Sequence, residues 1–309
     1  FVRRNWFYLG LLYSVLLLVL SSCALMRGVF LGFPDSKDIL RFPSSEITAS
    51  SECFEFEKNS LRSLSRLRVT DRSTGSPYYV TLDKLNTTRP VRSMVIIKND
   101  TLLYEFYGQE TEHETLSPSY SMAKSYTSAL IGIAISEGRI KSVKDKVVDY
   151  IPELKGVEMA EMLEIEHLLN MTSGFKLKLK TDMVLYYGND VMKALKFIEF
   201  EHKPGTFQEY INIDVQLLGL ILQRATSKKP SEYLEEKIWR PINACSDAIW
   251  TTDRKGNDKT FCCMGATALD YAKFGRLYMN NGNWNGTQIV PESWVNQTLS
   301  RDTTNGSGI

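Results

Sequence analysis

Two runs in the first half of the chain carry β-branched and aromatic residues on either side of a polar turn. Ser93-Met94-Val95-Ile96-Ile97 and Thr101-Leu102-Leu103-Tyr104-Glu105-Phe106-Tyr107 flank Lys98-Asn99-Asp100, which predicts a β-hairpin. The period then changes. Ala123 to Ile135 is a small, apolar run that ends at Glu137-Gly138, with Gly138 placed to cap a helix. From Val147 to Pro241 the spacing is mainly helical, over Glu164–Met171, Val215–Ala225 and, after Pro230, Ser231–Trp239. Thr267 to Met279 predicts an amphipathic helix with a threonine cap, and Pro291 to Leu299 a last short one. The order is hairpin, helix, helical block, helix. Two strands do not make a stable sheet, so further strands are expected from beyond Ile309. The abrupt ends, Phe1 and Asn305-Gly306-Ser307-Gly308-Ile309, read as those of a fragment.

The N-terminus follows another pattern. No charge falls between Asn5 and Arg27, and Trp6 to Met26 is long enough to cross a bilayer. Arg3 and Arg4 precede it, which directs the rest of the chain outward. Residues 1–33 therefore read as a signal peptide or membrane anchor. Leu20-Ser21-Ser22-Cys23 is similar to a bacterial lipoprotein cleavage box, with Cys23 as lipidation candidate. An uncleaved signal anchor fits equally. Either places the domain in the periplasm or outside the cell. Residues 34–90, rich in Ser, Arg and Thr, read as a tether and N-terminal extension.

The 309 residues are 43% apolar and 24% charged, as in a chain that buries a sizeable core. The net charge of +1 on scattered Lys and Arg argues against nucleic acid as a partner. Cys53, Cys245, Cys262 and Cys263 are free to pair in an extracytoplasmic setting, but their spacing does not say how. His113, His167 and His202 show no metal-ligand spacing. No metal or other cofactor is expected.

Two short motifs carry chemistry. In Ser121-Met122-Ala123-Lys124 the serine and lysine lie at i and i+3, on one face of a helix. A serine hydroxyl needs a base within hydrogen-bond reach to act as a nucleophile, and Lys124 can be that base. Tyr210-Ile211-Asn212 offers a second titratable group, Tyr210, and an amide, Asn212, to hold substrate. Ser121 as a plain helix cap with a solvated Lys124 is the competing reading. Ser173-Gly174-Phe175-Lys176 matches the same pattern but lies in a turn.

Four segments in this order resemble the penicillin-recognising serine hydrolases: class C β-lactamases, D-alanyl-D-alanine carboxypeptidases and related esterases. They are Ser121–Lys124, Glu166-His167-Leu168-Leu169-Asn170-Met171-Thr172-Ser173-Gly174, Tyr210–Asn212, and Gly265-Ala266-Thr267-Ala268-Leu269-Asp270-Tyr271-Ala272-Lys273-Phe274-Gly275. The resemblance covers roughly residues 80 to 309. Met171, where many members carry His, and Trp284-Asn285-Gly286 resemble the esterase and aminohexanoate-oligomer hydrolase branch most.

The resemblance implies a β-lactamase-like α/β (α+β) domain over 91–309, an antiparallel sheet flanked by helices plus a helical subdomain, with its last strands missing. It implies a catalytic set of Ser121, Lys124 and Tyr210, with Asn212 binding substrate and the Ser121 N–H as an oxyanion donor. Tyr187, or Tyr186 beside it, is a candidate for the tyrosine that in the amide-cleaving branch helps protonate the leaving amine. The family's third motif, Lys-Thr-Gly or His-x-Gly, does not occur after Tyr210. The expected partner is a small or peptide-like ester or amide, with the membrane engaged through the N-terminus. A β-lactamase or carboxypeptidase, and a non-catalytic envelope binding protein, are the alternatives.

Overall fold

The computed structural model describes residues 24–58, 67–108 and 110–300. Cys23 and most of the uncharged N-terminal run lie outside them. Among the described residues no helix is long and apolar enough to cross a membrane.

Helix Ala123–Ser136 is the axis of the fold. Leu130, Ile131, Ala129 and Ala134 are fully buried on different faces, so from Ala129 to Ala134 the helix is apolar all round, as a central segment must be. Gly138 takes φ +68° just past its end, a conformation that costs glycine nothing. Two neighbours approach closely where side chains are absent. A Cβ on Gly132 would lie 2.4 Å from the Trp294 ring of helix Glu292–Leu299, and one on Gly219 of helix Asn212–Thr226 would lie 2.3 Å from Thr260 Oγ1.

The helices follow the sequence pattern closely. Ile165–Leu169, Asn212–Thr226, Pro230–Leu234 with a π-helical continuation Glu235–Trp239, Ala268–Met279 and Glu292–Leu299 all form. Thr267 caps its helix through Oγ1, which accepts from the Asp270 N–H at 3.2 Å.

The predicted hairpin is present as Ser93–Lys98 paired antiparallel with Thr101–Tyr107. Asn99 and Asp100 both take positive φ, 50° and 59°, as a two-residue turn matched to the strand twist requires. Arg276 grips Asp100 from helix Ala268–Met279 with two hydrogen bonds of 2.7 Å, fixing the turn to the helix. A parallel strand, Glu57–Lys58, extends the hairpin to three strands.

A second sheet was not foreseen. Its order is Ser44–Ile47, Ala248–Thr251, Met264–Ala266, Ser117–Pro118, all antiparallel. Two pieces of the stretch read as tether and extension, Ser44–Ile47 and Glu57–Lys58, thus enter these sheets. Ile47 is fully buried, and Cys53 is disulfide-bonded to Cys245 across 192 residues of chain. The remaining described cysteines, Cys262 and Cys263, are bonded to each other.

Candidate active site

Ser121 is delivered to the surface by a sharp turn. Strand Ser117–Pro118 is held by the Ser119 N–H donating to the Met264 carbonyl at 2.7 Å. The next residue, Tyr120, takes φ +44°, the sparsely populated left-handed region for a non-glycine residue. The chain reverses through a 3₁₀ turn, Tyr120–Met122, and enters helix Ala123–Ser136. Ser121 is exposed at the head of that buried helix, and Lys124 lies one turn on.

The Lys124 amine has three close partners besides Tyr210. It lies 3.3 Å from Ser121 Oγ, 3.0 Å from Asn212 Oδ1 and 2.6 Å from the Phe261 carbonyl. Two of these can only accept. A neutral amine has two hydrogens and one lone pair. In that form, hydrogens given to Asn212 and Phe261 would leave the lone pair for the Ser121 hydroxyl. Burial pushes the Lys124 pKa down, opposed by its hydrogen bond with Tyr210 and by the charges of Tyr210 and Asp182. The amine also sits 5.0 Å from the centroid of the Tyr210 ring, and Tyr210 is 61% exposed.

Each partner is itself held. Asn212 opens helix Asn212–Thr226, and its Nδ2 donates to Asp182 Oδ1 at 3.1 Å. That bond leaves Oδ1 for Lys124. The segment carrying Phe261 is clamped between two helices: Thr127 Oγ1 donates to the Thr260 carbonyl at 3.0 Å, and Thr260 Oγ1 to the Val215 carbonyl at 2.9 Å. Tyr210 is placed by a zip of backbone bonds between 171–174 and 201–209. Glu201 and His202 donate to Gly174, Gly205 to Thr172 and Glu209 to Met171. A Cβ on Gly174 would lie 2.2 Å from the His202 carbonyl, and its φ is +77°, so only glycine suits the zip.

A cavity of about 1010 Å³ opens over Ser121, Lys124 and Tyr210, with Glu166, Asn170 and Met171 on its wall. Ser121, Lys124, Tyr210 and Asn212 are therefore brought together as the sequence predicts. Ser173 is not among them. It is buried in the turn, where its Oγ accepts from the Phe175 N–H at 3.4 Å. Tyr187, the candidate for a substrate-side tyrosine that protonates the leaving amine, is placed elsewhere. Helix Leu179–Tyr187 turns it toward the N-terminal segment, where its hydroxyl donates to the Gly32 carbonyl at 2.5 Å and its ring packs on Phe42 and Tyr186. Tyr186 is likewise engaged, donating to Asp38 at 2.7 Å. Glu164 and His167 cluster with Glu166 of the cavity wall, but Lys146 sits 2.6 Å from Glu164 and Lys144 pairs with Glu166, so ammonium groups already match both carboxylates.

Residues 82–308 match the family model named Beta-lactamase. The chain belongs to the beta-lactamase family. Among curated family relatives, it is 23% identical over 261 residues to 6-aminohexanoate-dimer hydrolase of Paenarthrobacter ureafaciens, covering 74% of this chain and 65% of that protein. It is 31% identical over 181 residues to Protein flp of Staphylococcus aureus, covering 54% of this chain and 36% of that one. The chain thus spans less than two thirds of either relative. A solved structure from Bacillus anthracis, assigned as a 6-aminohexanoate-dimer hydrolase, superposes with a TM-score of 0.74 at 24% identity, over 83% of this chain and 70% of that one. The octameric penicillin-binding protein homologue of Pyrococcus abyssi gives 0.54 at 18% identity, over 71% and 58%. These likenesses establish the β-lactamase-like fold.

Proposed function

We propose that the protein is a serine hydrolase that cleaves an ester or amide through an acyl-enzyme on Ser121. The observation that carries this reading is the partly buried Lys124 amine, held 3.3 Å from Ser121 Oγ by the acceptors Asn212 Oδ1 and the Phe261 carbonyl. The Ser121 hydroxyl gives its proton to this amine as Oγ bonds to the substrate carbonyl carbon. The carbonyl oxygen takes the negative charge, with the Ser121 N–H as one donor to it. Collapse expels the leaving amine or alcohol, which takes a proton from Lys124 or from Tyr210 beside it. Water then repeats the sequence: it loses a proton to the same pair, attacks the acyl carbon, and Ser121 leaves as the hydroxyl.

The similarity to a protein named for hydrolysing 6-aminohexanoate dimer favours linear amides and short esters over β-lactams. A second part of the reading is the address. The run Trp6–Met26 after Arg3 and Arg4 holds the domain to the outer side of a bacterial cytoplasmic membrane or its envelope, as a lipoprotein through Cys23 or as a signal anchor.

A fluorophosphonate probe followed by peptide mass spectrometry tests the chemistry. The expected adduct is on Ser121 and not on Ser173. A chain that stays unlabelled while folded would overturn the assignment. Penicillin labelling measured against turnover of short-chain esters separates a β-lactamase or peptidase from the esterase-amidase reading.

A further inference from the structure

The residues after the cavity wall form a surface that the proposed chemistry does not use. Phe175-Lys176-Leu177-Lys178-Leu179-Lys180 alternates lysine with leucine. The segment runs beside 193–200: the Lys176 N–H donates to the Glu199 carbonyl, Lys178 Nζ to the Phe197 carbonyl, and the Lys180 ammonium lies 4.2 Å from the Phe197 ring centroid. Lys193 and Lys196 are therefore on the same ground, and both are exposed. Lys178 is matched by Glu199 at 2.6 Å. Among the described residues no carboxylate lies within 4.0 Å of the ammonium of Lys176, Lys180, Lys193 or Lys196, and the Glu199 charge acts on Lys176 from further away. The leucines between them point out as well, Leu177 at 53% and Leu179 at 74% exposure.

The N-terminal helix packs on the helix that begins at Leu179. Ala24–Leu31 packs against Leu179–Tyr187, with Gly28 directly on Met183 and Tyr187. It leaves Val29, Phe30 and the following Phe33 exposed. From Met26, the end of the uncharged run, to the buried Asp38 is roughly 11 residues, about 40 Å at full extension, and part of that length is helical. A domain on so short a lead is held at the bilayer surface.

We propose that the exposed apolar side chains Val29, Phe30, Phe33, Leu177 and Leu179, with Lys176, Lys180, Lys193 and Lys196, dock the domain on a bilayer rich in anionic lipid. The inference rests on the membrane reading of residues 1–33 given above. Lysines beside exposed large apolar side chains are what an interfacial contact needs: the ammonium groups meet lipid phosphates while the apolar groups enter the headgroup boundary. The face also borders the cleft, because Asp182, which holds Asn212, lies one turn from Leu179 on the same helix.

The test uses the full chain reconstituted into vesicles of phosphatidylcholine alone or of phosphatidylcholine and phosphatidylglycerol in equal parts. Flotation reports attachment, and hydrogen exchange read by mass spectrometry reports contact. The expected result is flotation with both vesicles, with several-fold slower exchange at 176–180 and 193–197 only on the anionic ones. That slowing should fade near 1 M salt, where the screening length drops to about 3 Å. A variant with Lys176→Gln, Lys180→Gln, Lys193→Gln and Lys196→Gln should float, turn over a soluble ester as before, and lose the slowing. Flotation with equal exchange on both vesicles would overturn the docking face alone. Protein left in the aqueous phase would overturn the anchor and the face together. The same slowing with soluble polyphosphate and no lipid would assign the face to a polyanion and overturn the lipid proposal.

Discussion

Asp182 accepts a hydrogen bond from Asn212 Nδ2 at 3.1 Å, and through it sets which end of the Asn212 amide meets Lys124. Its charge also raises the Lys124 pKa against the effect of burial. Two variants separate the two roles. Asp182→Asn keeps an acceptor oxygen and loses the charge, so turnover should stay near the parent's while the acid limb of kcat/KM moves to lower pH. The sign follows because the carboxylate favours the ammonium form, and its loss frees the base at lower pH. Asp182→Ala loses both, and a misplaced Asn212 should cost up to roughly 100-fold in kcat. An unmoved acid limb in both would exclude Asp182 from the base's environment.

Ser121→Ala should abolish labelling and turnover with little effect on stability. The Ser121 side chain is exposed and, among the described residues, its hydrogen-bond partner is Lys124 at 3.3 Å. The helix it precedes has no side-chain cap to lose. Such surface changes typically shift stability by less than about 0.5 kcal/mol. Thermal melting and probe labelling, run on the same preparation, check both halves.

Tyr210→Phe should cut kcat by roughly 100-fold or more, the scale of losing a general acid–base group. The ring is retained, so the contact with the Lys124 amine at 5.0 Å from its centroid survives and KM should change far less. Parent-like kcat in this variant would leave Lys124 as sole acid and base.

The candidate set was legible because the chemistry proposed for it fixes residue type and spacing. Ser121 and Lys124 are one helical turn apart, and Tyr210 and Asn212 are two residues apart at a helix start. The supporting contacts were not. Phe261 acts through its backbone carbonyl, which any residue supplies, and Asp182 is one carboxylate among many. Strands Ala248–Thr251 and Met264–Ala266 are short and almost wholly buried, so they lack the alternation that marks a half-exposed strand. Tyr187 shows the reverse failure. A tyrosine in the expected segment said nothing of the face it would take, and packing against the N-terminal segment turned it away from the cavity.

The Cys53–Cys245 bond should contribute substantially to stability. It closes a loop of 192 residues between the first part of the chain and the loop ahead of strand Ala248–Thr251. Removing both cysteines should cost about 2–5 kcal/mol, mainly by freeing the unfolded chain. Denaturant midpoints of Cys53→Ala/Cys245→Ala against the parent measure it. No change would mean that the bond does not form in the folded protein.

Lys259 should give the protein a pH-dependent stability of unusual sign. Its side chain is wholly buried, its ammonium lies 3.6 Å from the centroid of the Phe42 ring, and its hydrogen-bond acceptor is the Tyr186 carbonyl at 2.7 Å. Burial first, then the charge of Arg27, brings its pKa down to about 7, from 10.5. Between these values the unfolded chain holds a proton that the folded one does not, so stability rises with pH across that window. Below about pH 7 both states are charged and the folded state carries the full cost of the buried ammonium. Lys259→Met keeps the packing volume against Phe42 and has no proton to bind. The parent's denaturant midpoint should therefore climb from pH 6.5 to pH 9.5 relative to that of Lys259→Met, by an amount worth a few kcal/mol, about 1.4 kcal/mol for each tenfold change in proton affinity. Parallel pH profiles for the two proteins would show that Lys259 is charged, or neutral, alike in both states.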